Sequence, residues 1–200
     1  YPWCESLCHY CDYNRFQRIR KAEEDLFLSA LIEDIKSESS KLKKQKICSI
    51  YFGGGTPSKL AINDLSKLMD EIFSKFKLKN NCEISIEINP EDASFDYLIG
   101  LKSLGFNRIS LGAQSFDDST LAYLGRKHKG QDVIEAINNI RHANFNNLNV
   151  DLISNIYCSP NPNRCLEDIK KLLIFNPEHL SLYEVKSNAT LTAEDFDGNA

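Results

Sequence analysis

Short apolar runs alternate with amphipathic stripes along most of this chain, and that alternation leaves few folds open to it. Ile47-Cys48-Ser49-Ile50-Tyr51-Phe52 ends at three glycines and reads as a buried strand. Cys82-Glu-Ile84-Ser-Ile86-Glu-Ile88 alternates with period two and stops at Asn89-Pro90. Arg108–Gly112, Leu148–Ile153 and His179–Tyr183 continue the series. Between them, Leu65, Leu68, Met69, Ile72, Phe73 and Phe76 recur at helical spacing behind a candidate cap at Asn63. Leu98, Leu101 and Leu104 form a second stripe, closed by Gly105 where a left-handed residue is wanted. Val133, Ile134, Ile137 and Ile140 make a third, and Leu166, Ile169, Leu172 and Leu173 a fourth. Residues 22–36 are also helical, with Leu26, Ala30 and Ile35 facing inward. Strand–helix alternation predicts parallel strands joined by right-handed crossovers. Five strands are visible and a sixth would precede Cys4, too few for a closed eight-fold barrel. The expected fold is α/β, an open partial (β/α)6 barrel of parallel strands, truncated at both ends.

In such folds ligands gather at the carboxyl ends of the strands, and the residues able to do chemistry cluster there. Cys4-Glu-Ser-Leu-Cys8-His-Tyr-Cys11 precedes the first helix. Three thiolates at CxxxCxxC spacing offer one ligand fewer than a four-iron cubane has irons, which leaves one iron open to a further ligand. Zinc sites normally use four ligands in close pairs, so a zinc module fits this spacing poorly. Gly53-Gly-Gly-Thr56-Pro57 follows the next strand, where missing side chains and free N–H groups would let a ligand approach the backbone. Glu87 and Gln114 sit at the ends of their strands. Asp151 lies within an apolar strand and needs a partner, either a ligand or a salt bridge to a neighbouring strand.

Composition narrows the surroundings. Hydrophobic residues make up 42% of the 200 and charged residues 26%, enough for one domain with a core. The net charge of −4 gives no footprint for nucleic acid, and the basic run Lys41–Lys46 reads as a solvated loop. No apolar stretch approaches a membrane span, and no secretory signal is visible. Seven cysteines without a disulfide framework fit a reducing cytoplasm. Of the four outside the motif, Cys48 and Cys82 read as buried strand thiols, and Cys158 and Cys165 form no metal-ligand pair. The chain opens abruptly at Tyr1-Pro2-Trp3 and reads as a piece of a longer protein, residues 1–186 being its core domain and 187–200 a tail.

Taken together, these segments resemble one branch of the radical S-adenosylmethionine (SAM) superfamily: the oxygen-independent coproporphyrinogen III oxidases and their HemW-type relatives, regarded as haem chaperones. The resemblance rests on Pro2-Trp3-Cys4 with Cys8, Tyr10 and Cys11; Phe52-Gly-Gly-Gly-Thr-Pro-Ser58; Glu87-Ile-Asn-Pro90; Asn107-Arg-Ile-Ser-Leu-Gly-Ala-Gln-Ser-Phe116; Leu124-Gly-Arg126-Lys-His128; Asp151-Leu-Ile; and Ser181-Leu-Tyr183. It runs to about Val185 and is specific in combination.

The resemblance implies a radical SAM barrel in which Cys4, Cys8 and Cys11 ligate a [4Fe–4S] cluster. It further implies SAM contacts at Tyr10, Gly54, Gly55, Thr56, Glu87, Gln114, Arg126 and Asp151. In the family the reduced cluster cleaves SAM to a 5′-deoxyadenosyl radical. The oxidases use that radical to decarboxylate coproporphyrinogen III, whereas HemW-type proteins bind haem and pass it to an acceptor. Haem or a porphyrinogen, a haem-acceptor protein and an electron donor are the implied partners. Of the departures from the family's pattern, one bears on the branch and another on the local loop. The oxidases carry a further cysteine two residues after the third ligand, where this chain has Tyr13, as HemW-type proteins do. The family's Gly-Leu-Pro-Gly turn after the Asp151 strand is replaced by Ser154-Asn-Ile-Tyr-Cys158-Ser-Pro160. The family's C-terminal domain, to which haem binding is ascribed, is absent from these residues.

Overall fold

The structure is a computed structural model and describes residues 1–17, 20–42, 45–155 and 161–185. Part of the Lys41–Lys46 run, Cys158 and the expected 187–200 tail lie outside the described residues. The chain opens with a two-residue strand β1 (Trp3–Cys4), paired in parallel with β2 (Phe16–Gln17), so the cysteine motif is the loop between them. Helix α1 (Lys21–Lys41) follows. One sheet then takes all remaining strands in chain order, every pair parallel: β3 (Lys46–Phe52), β4 (Lys77–Ile88), β5 (Arg108–Gln114), β6 (Leu148–Asn155) and β7 (His179–Glu184). The crossovers are α2 (Ile62–Lys75), α3 (Phe95–Ser103), α4 (Asp118–Tyr123) with α5 (Gly130–His142), and α6 (Arg164–Leu173). The result is a curled half-barrel, the expected α/β class.

Period-two side-chain alternation divides the sheet into two faces. Ile84, Ile86 and Ile88, then Ile109, Leu111 and Ala113, then Leu148, Val150 and Leu152 turn toward the helices. There they meet Leu65, Leu68 and Met69 of α2, Leu98 and Leu101 of α3, and Val133, Ile137 and Ile140 of α5 in one apolar core. Each such side chain contributes about 1.5–3 kcal/mol on burial. The intervening residues Glu87, Ser110, Gly112, Asn149, Asp151 and Ser181 therefore share the concave face.

Several sequence expectations shift. β3 is an edge strand paired only with β4, so Cys48 and Tyr51 are exposed, while Cys82 on the inner strand is buried. In α1 the inward stripe is Leu28 with Phe27, Leu31, Ile32 and Ile35; Leu26 and Ala30 face solvent. Asn63 caps nothing, because α2 starts one residue earlier and Ala61 stands at its N-cap. Leu166 and Leu173 are exposed on α6, whose packed side chains are Ile169 and Leu172. Gly105 ends α3 with φ of +93°, as its position requires.

Candidate functional site: a cysteine-lined cavity at the carboxyl ends of the strands

A cavity of about 500 Å³ opens at the carboxyl ends of the strands, within the range of small-molecule sites. Every residue singled out from the sequence lines it: Cys4, Cys8, Cys11, Tyr10, Gly54, Gly55, Thr56, Glu87, Gln114, Arg126 and Asp151. The fold thus gathers residues from six separate segments of the chain at one place.

The cysteine loop has little regular structure and is held by tethers. Arg15 Nη2 donates to the Cys8 carbonyl at 2.7 Å and its Nη1 to that of Tyr13 at 3.3 Å. The His9 amide donates to Leu124 O at 3.3 Å. Arg126 Nη1 lies 3.6 Å from Cys8 Sγ. All three thiols are free, Cys4 buried and the other two half-buried. Burial pushes the Cys11 thiol up despite the opposing Arg15 charge, so a bound cation is what would favour its thiolate. Among the described residues, no three Cys, His, Asp or Glu side chains converge on a point that one metal ion could occupy. A cubane spreads its thiolates over separate irons, so three sulfurs facing one cavity without meeting suit a cluster better than a single ion.

The glycine loop differs from expectation in an instructive way. Its N–H groups are already engaged: Gly54 with Glu87 Oε2 at 3.1 Å, Gly55 with Tyr1 O at 2.6 Å and Thr56 with Trp3 O at 2.9 Å. A Cβ on Gly54 would stand 2.6 Å from Tyr1 O, and one on Gly55 2.7 Å from Trp3 O. Gly54 also has φ of +117°. The glycines let the loop dock against the segment that leads into the cysteines, while their open side borders the cavity.

The carboxylates are half-buried, and their hydrogen-bond partners are neutral. Glu87 accepts from the Tyr51 hydroxyl at 3.0 Å as well as from Gly54, and burial pushes its carboxyl up. Asp151 accepts from Asn149 Nδ2 at 2.7 Å and Ser110 Oγ at 3.3 Å. These partners are an amide and a hydroxyl; Arg108 on the neighbouring strand acts on the carboxylate by its charge, but among the described residues it forms no ion pair with it. Burial raises the Asp151 carboxyl too. Arg126 is anchored by Nη2 to Asn89 Oδ1 at 2.7 Å and Gly112 O at 2.9 Å, and its buried Nε has no hydrogen-bond partner among the described residues. Gln114 ends β5 where the register with β6 shifts, at φ of +68°, a strained setting for a side chain that faces a site. Tyr10 packs against Tyr123, Leu124 and Ile153, and burial raises its hydroxyl.

Sequence reasoning missed Glu91 and gave His128 no role. His128 is buried, with Nε2 3.1 Å from Ala113 O and Nδ1 3.3 Å from Glu91 Oε2 in a poorly aligned contact. Burial acts to raise Glu91, but His128 and Arg126 outweigh it and hold the carboxyl at about 2. The pair of charges in Pro90-Glu-Asp92 just after a strand was the available signal.

Comparison with known proteins agrees with this geometry. Residues 1–173 match the radical SAM superfamily. The chain is 35% identical to the heme chaperone HemW of Bacillus subtilis over 189 residues, covering 92% of this chain and 48% of that protein. It is 29% identical to the oxygen-independent coproporphyrinogen III oxidase of Salmonella typhimurium, covering 96% and 42%. Coproporphyrinogen III oxidase (HemN) from Escherichia coli, described as a radical SAM enzyme, superposes with a TM-score of 0.86 at 28% identity, covering 98% of this chain and 45% of that one. The chain spans about half the length of the curated relatives it matches.

Proposed function

This chain belongs to the radical SAM superfamily, in the group that joins HemW to the oxygen-independent coproporphyrinogen III oxidases, and on that premise we propose that its cavity holds a [4Fe–4S] cluster on Cys4, Cys8 and Cys11 beside SAM. The cluster, when reduced, supplies the electron for SAM cleavage. The chain supplies position and charge. Arg126, with one buried donor unspent, would take the SAM carboxylate. Glu87 and Asp151, half-buried and hydrogen-bonded to neutral groups, would gain from an ammonium or from ribose hydroxyls, which offset the cost of their partial burial. Of the residues lining the cavity, Gly54, Gly55 and Thr56 would border the methionine end of SAM, Tyr10 would meet the adenine, and Gln114 would complete the wall.

Within the group we read a HemW-type haem chaperone of the cytoplasm, with residues 1–186 as its radical SAM core. The observation that carries this reading is Tyr13. It is exposed at the cavity rim, at the position where the oxidases have a further cysteine. Haem and a haem-accepting protein are then its partners, with an electron donor for the cluster. The second reading, a coproporphyrinogen III oxidase, is favoured by the close superposition on the Escherichia coli enzyme.

One experiment separates them. The whole protein, rebuilt anaerobically with iron and sulfide, is given SAM, a strong reductant and coproporphyrinogen III. 5′-Deoxyadenosine and protoporphyrinogen IX are followed together, beside a haem titration. Tight haem binding without decarboxylation is the expected result. The two products formed in step would establish the oxidase instead.

A further inference from the structure

The loop that carries the cysteines is tied to the sheet at a second place, by charge. Glu5, next to Cys4, meets Lys59 Nζ at 2.7 Å. Lys59 lies just after the glycine loop and is 14% exposed, and the same ammonium reaches Asp92 at 2.5 Å. Asp92 sits in the turn after β4 and also accepts from Ser58 Oγ at 2.6 Å. A second cation, Lys127, stands 3.9 Å from Glu5. The turn Asn89–Asp92 therefore grips the loop from both sides: through Asp92 and Lys59 to the residue beside Cys4, and through Asn89 and Arg126 to Cys8.

We propose that Lys59 is a positioning residue for the metal site, a half-buried ammonium that locks the Cys4 arm of the loop onto the turn after β4 and so holds the thiols in place before any cluster arrives. This rests on the cluster reading above. The geometry supports it because one Lys59 ammonium bridges Glu5 of the loop and Asp92 of the turn, on the Cys4 side that Arg126 does not reach. A long side chain held at both ends, largely out of water, has little freedom to let the loop drift. Outer-shell partners of this kind typically change metal affinity by about 10- to 100-fold when removed.

The test uses the whole protein as wild type, Lys59→Met, Lys59→Arg and Glu5→Gln. Glu5→Gln breaks only the link to the loop and leaves Lys59 with Asp92, which guards against a Lys59→Met variant that misfolds. In the metal-free protein, alkylation of Cys4, Cys8 and Cys11 is timed by mass spectrometry. In the reconstituted protein, iron loss to a chelator and the cluster midpoint potential are measured.

Lys59→Met is expected to speed alkylation and iron loss about tenfold and Glu5→Gln about threefold, with Lys59→Arg close to wild type. The midpoint should move in opposite directions. Removing a nearby cation disfavours the added electron, and removing a nearby anion favours it. Wild-type rates in both Lys59→Met and Glu5→Gln would overturn the proposal. A wild-type protein that takes up no cluster would instead overturn the reading it rests on.

Discussion

The cysteine loop and the sheet beneath it are held by opposite means. In the sheet, backbone ladders and a continuous apolar face fix each strand, and residues such as Ile86, Leu111 and Val150 are almost wholly excluded from solvent. In the loop, two residues of β1 pair with two of β2, Tyr10 alone packs on the small apolar cluster of Tyr123, Leu124 and Ile153, and the rest depends on Arg15, Arg126, Lys59 and a few backbone contacts. Hydrophobic burial can build the first without a cofactor. The second has no core of its own, and metal–sulfur bonds are the natural source of the order that apolar contact does not give. Stability and metal loading are thus expected to be separable properties of this chain.

The sharpest break of that contrast comes from the ligands. Cys8→Ser is expected to abolish the cluster, read as loss of the iron–sulfur absorbance and of bound iron. The denaturation midpoint of the metal-free protein should stay with the wild type. Ile86→Ala should do the reverse. A fully buried aliphatic side chain in the central strands costs about 2–5 kcal/mol to truncate, seen in urea unfolding, while iron per folded molecule is unchanged.

A smaller effect belongs to Asp168, buried on α6, which accepts from Ser115 Oγ at 2.5 Å and the Phe116 amide at 3.1 Å. Asp168→Ala orphans both donors and should cost about 1–3 kcal/mol, again without loss of metal. It is a buried carboxylate of the scaffold, whereas Asp151 is a half-buried one of the cavity.

The smallest expected effects are in pH dependence, and they carry opposite signs. Glu91 ionises at about 2 in the folded protein against an ordinary 4.5, so its stabilisation is complete above 4.5 and drains away as the pH falls toward 2. Glu87 is shifted upward by burial, so the folded state keeps that proton longer than the unfolded chain. Its contribution is greatest below the ordinary carboxylate value and is lost as the pH rises through the folded one. In the metal-free protein, Glu87→Gln should therefore unfold at higher urea than wild type at neutral pH, the gain fading in acid. Glu91→Gln should be less stable at neutral pH, the deficit fading as the pH falls toward 2. Urea midpoints taken across the acid range check both.

The strand order and the site's location were legible because period-two runs and helical stripes report burial directly, and because parallel topology sends each strand's carboxyl end to the same rim. Cys4, Cys8, Cys11, Glu87, Gln114 and Asp151 were visible as polar or sulfur residues where apolar ones would serve the core. Edge effects were not legible: nothing in Ile47–Phe52 says that β3 has a neighbour on one side only, so Cys48 reads as buried. Nor does local pattern reveal long-range polar contacts. Lys59 and Glu5 are 54 positions apart in the chain, and Lys59 reads as an ordinary surface lysine until the fold brings Asp92 and Glu5 to it. The glycine triplet reads as open, yet the Gly54 amide meets Glu87 and those of Gly55 and Thr56 meet Tyr1 and Trp3, partners no local rule supplies.

The most direct measurement is Mössbauer spectroscopy of the whole protein, reconstituted with iron-57 and recorded with and without SAM. One cubane per chain, with a single iron whose signal changes on SAM addition while the other three stay put, is the expected result: three cysteines hold three irons and leave the fourth for SAM. Four irons indifferent to SAM, or a protein that assembles no cubane, would contradict it.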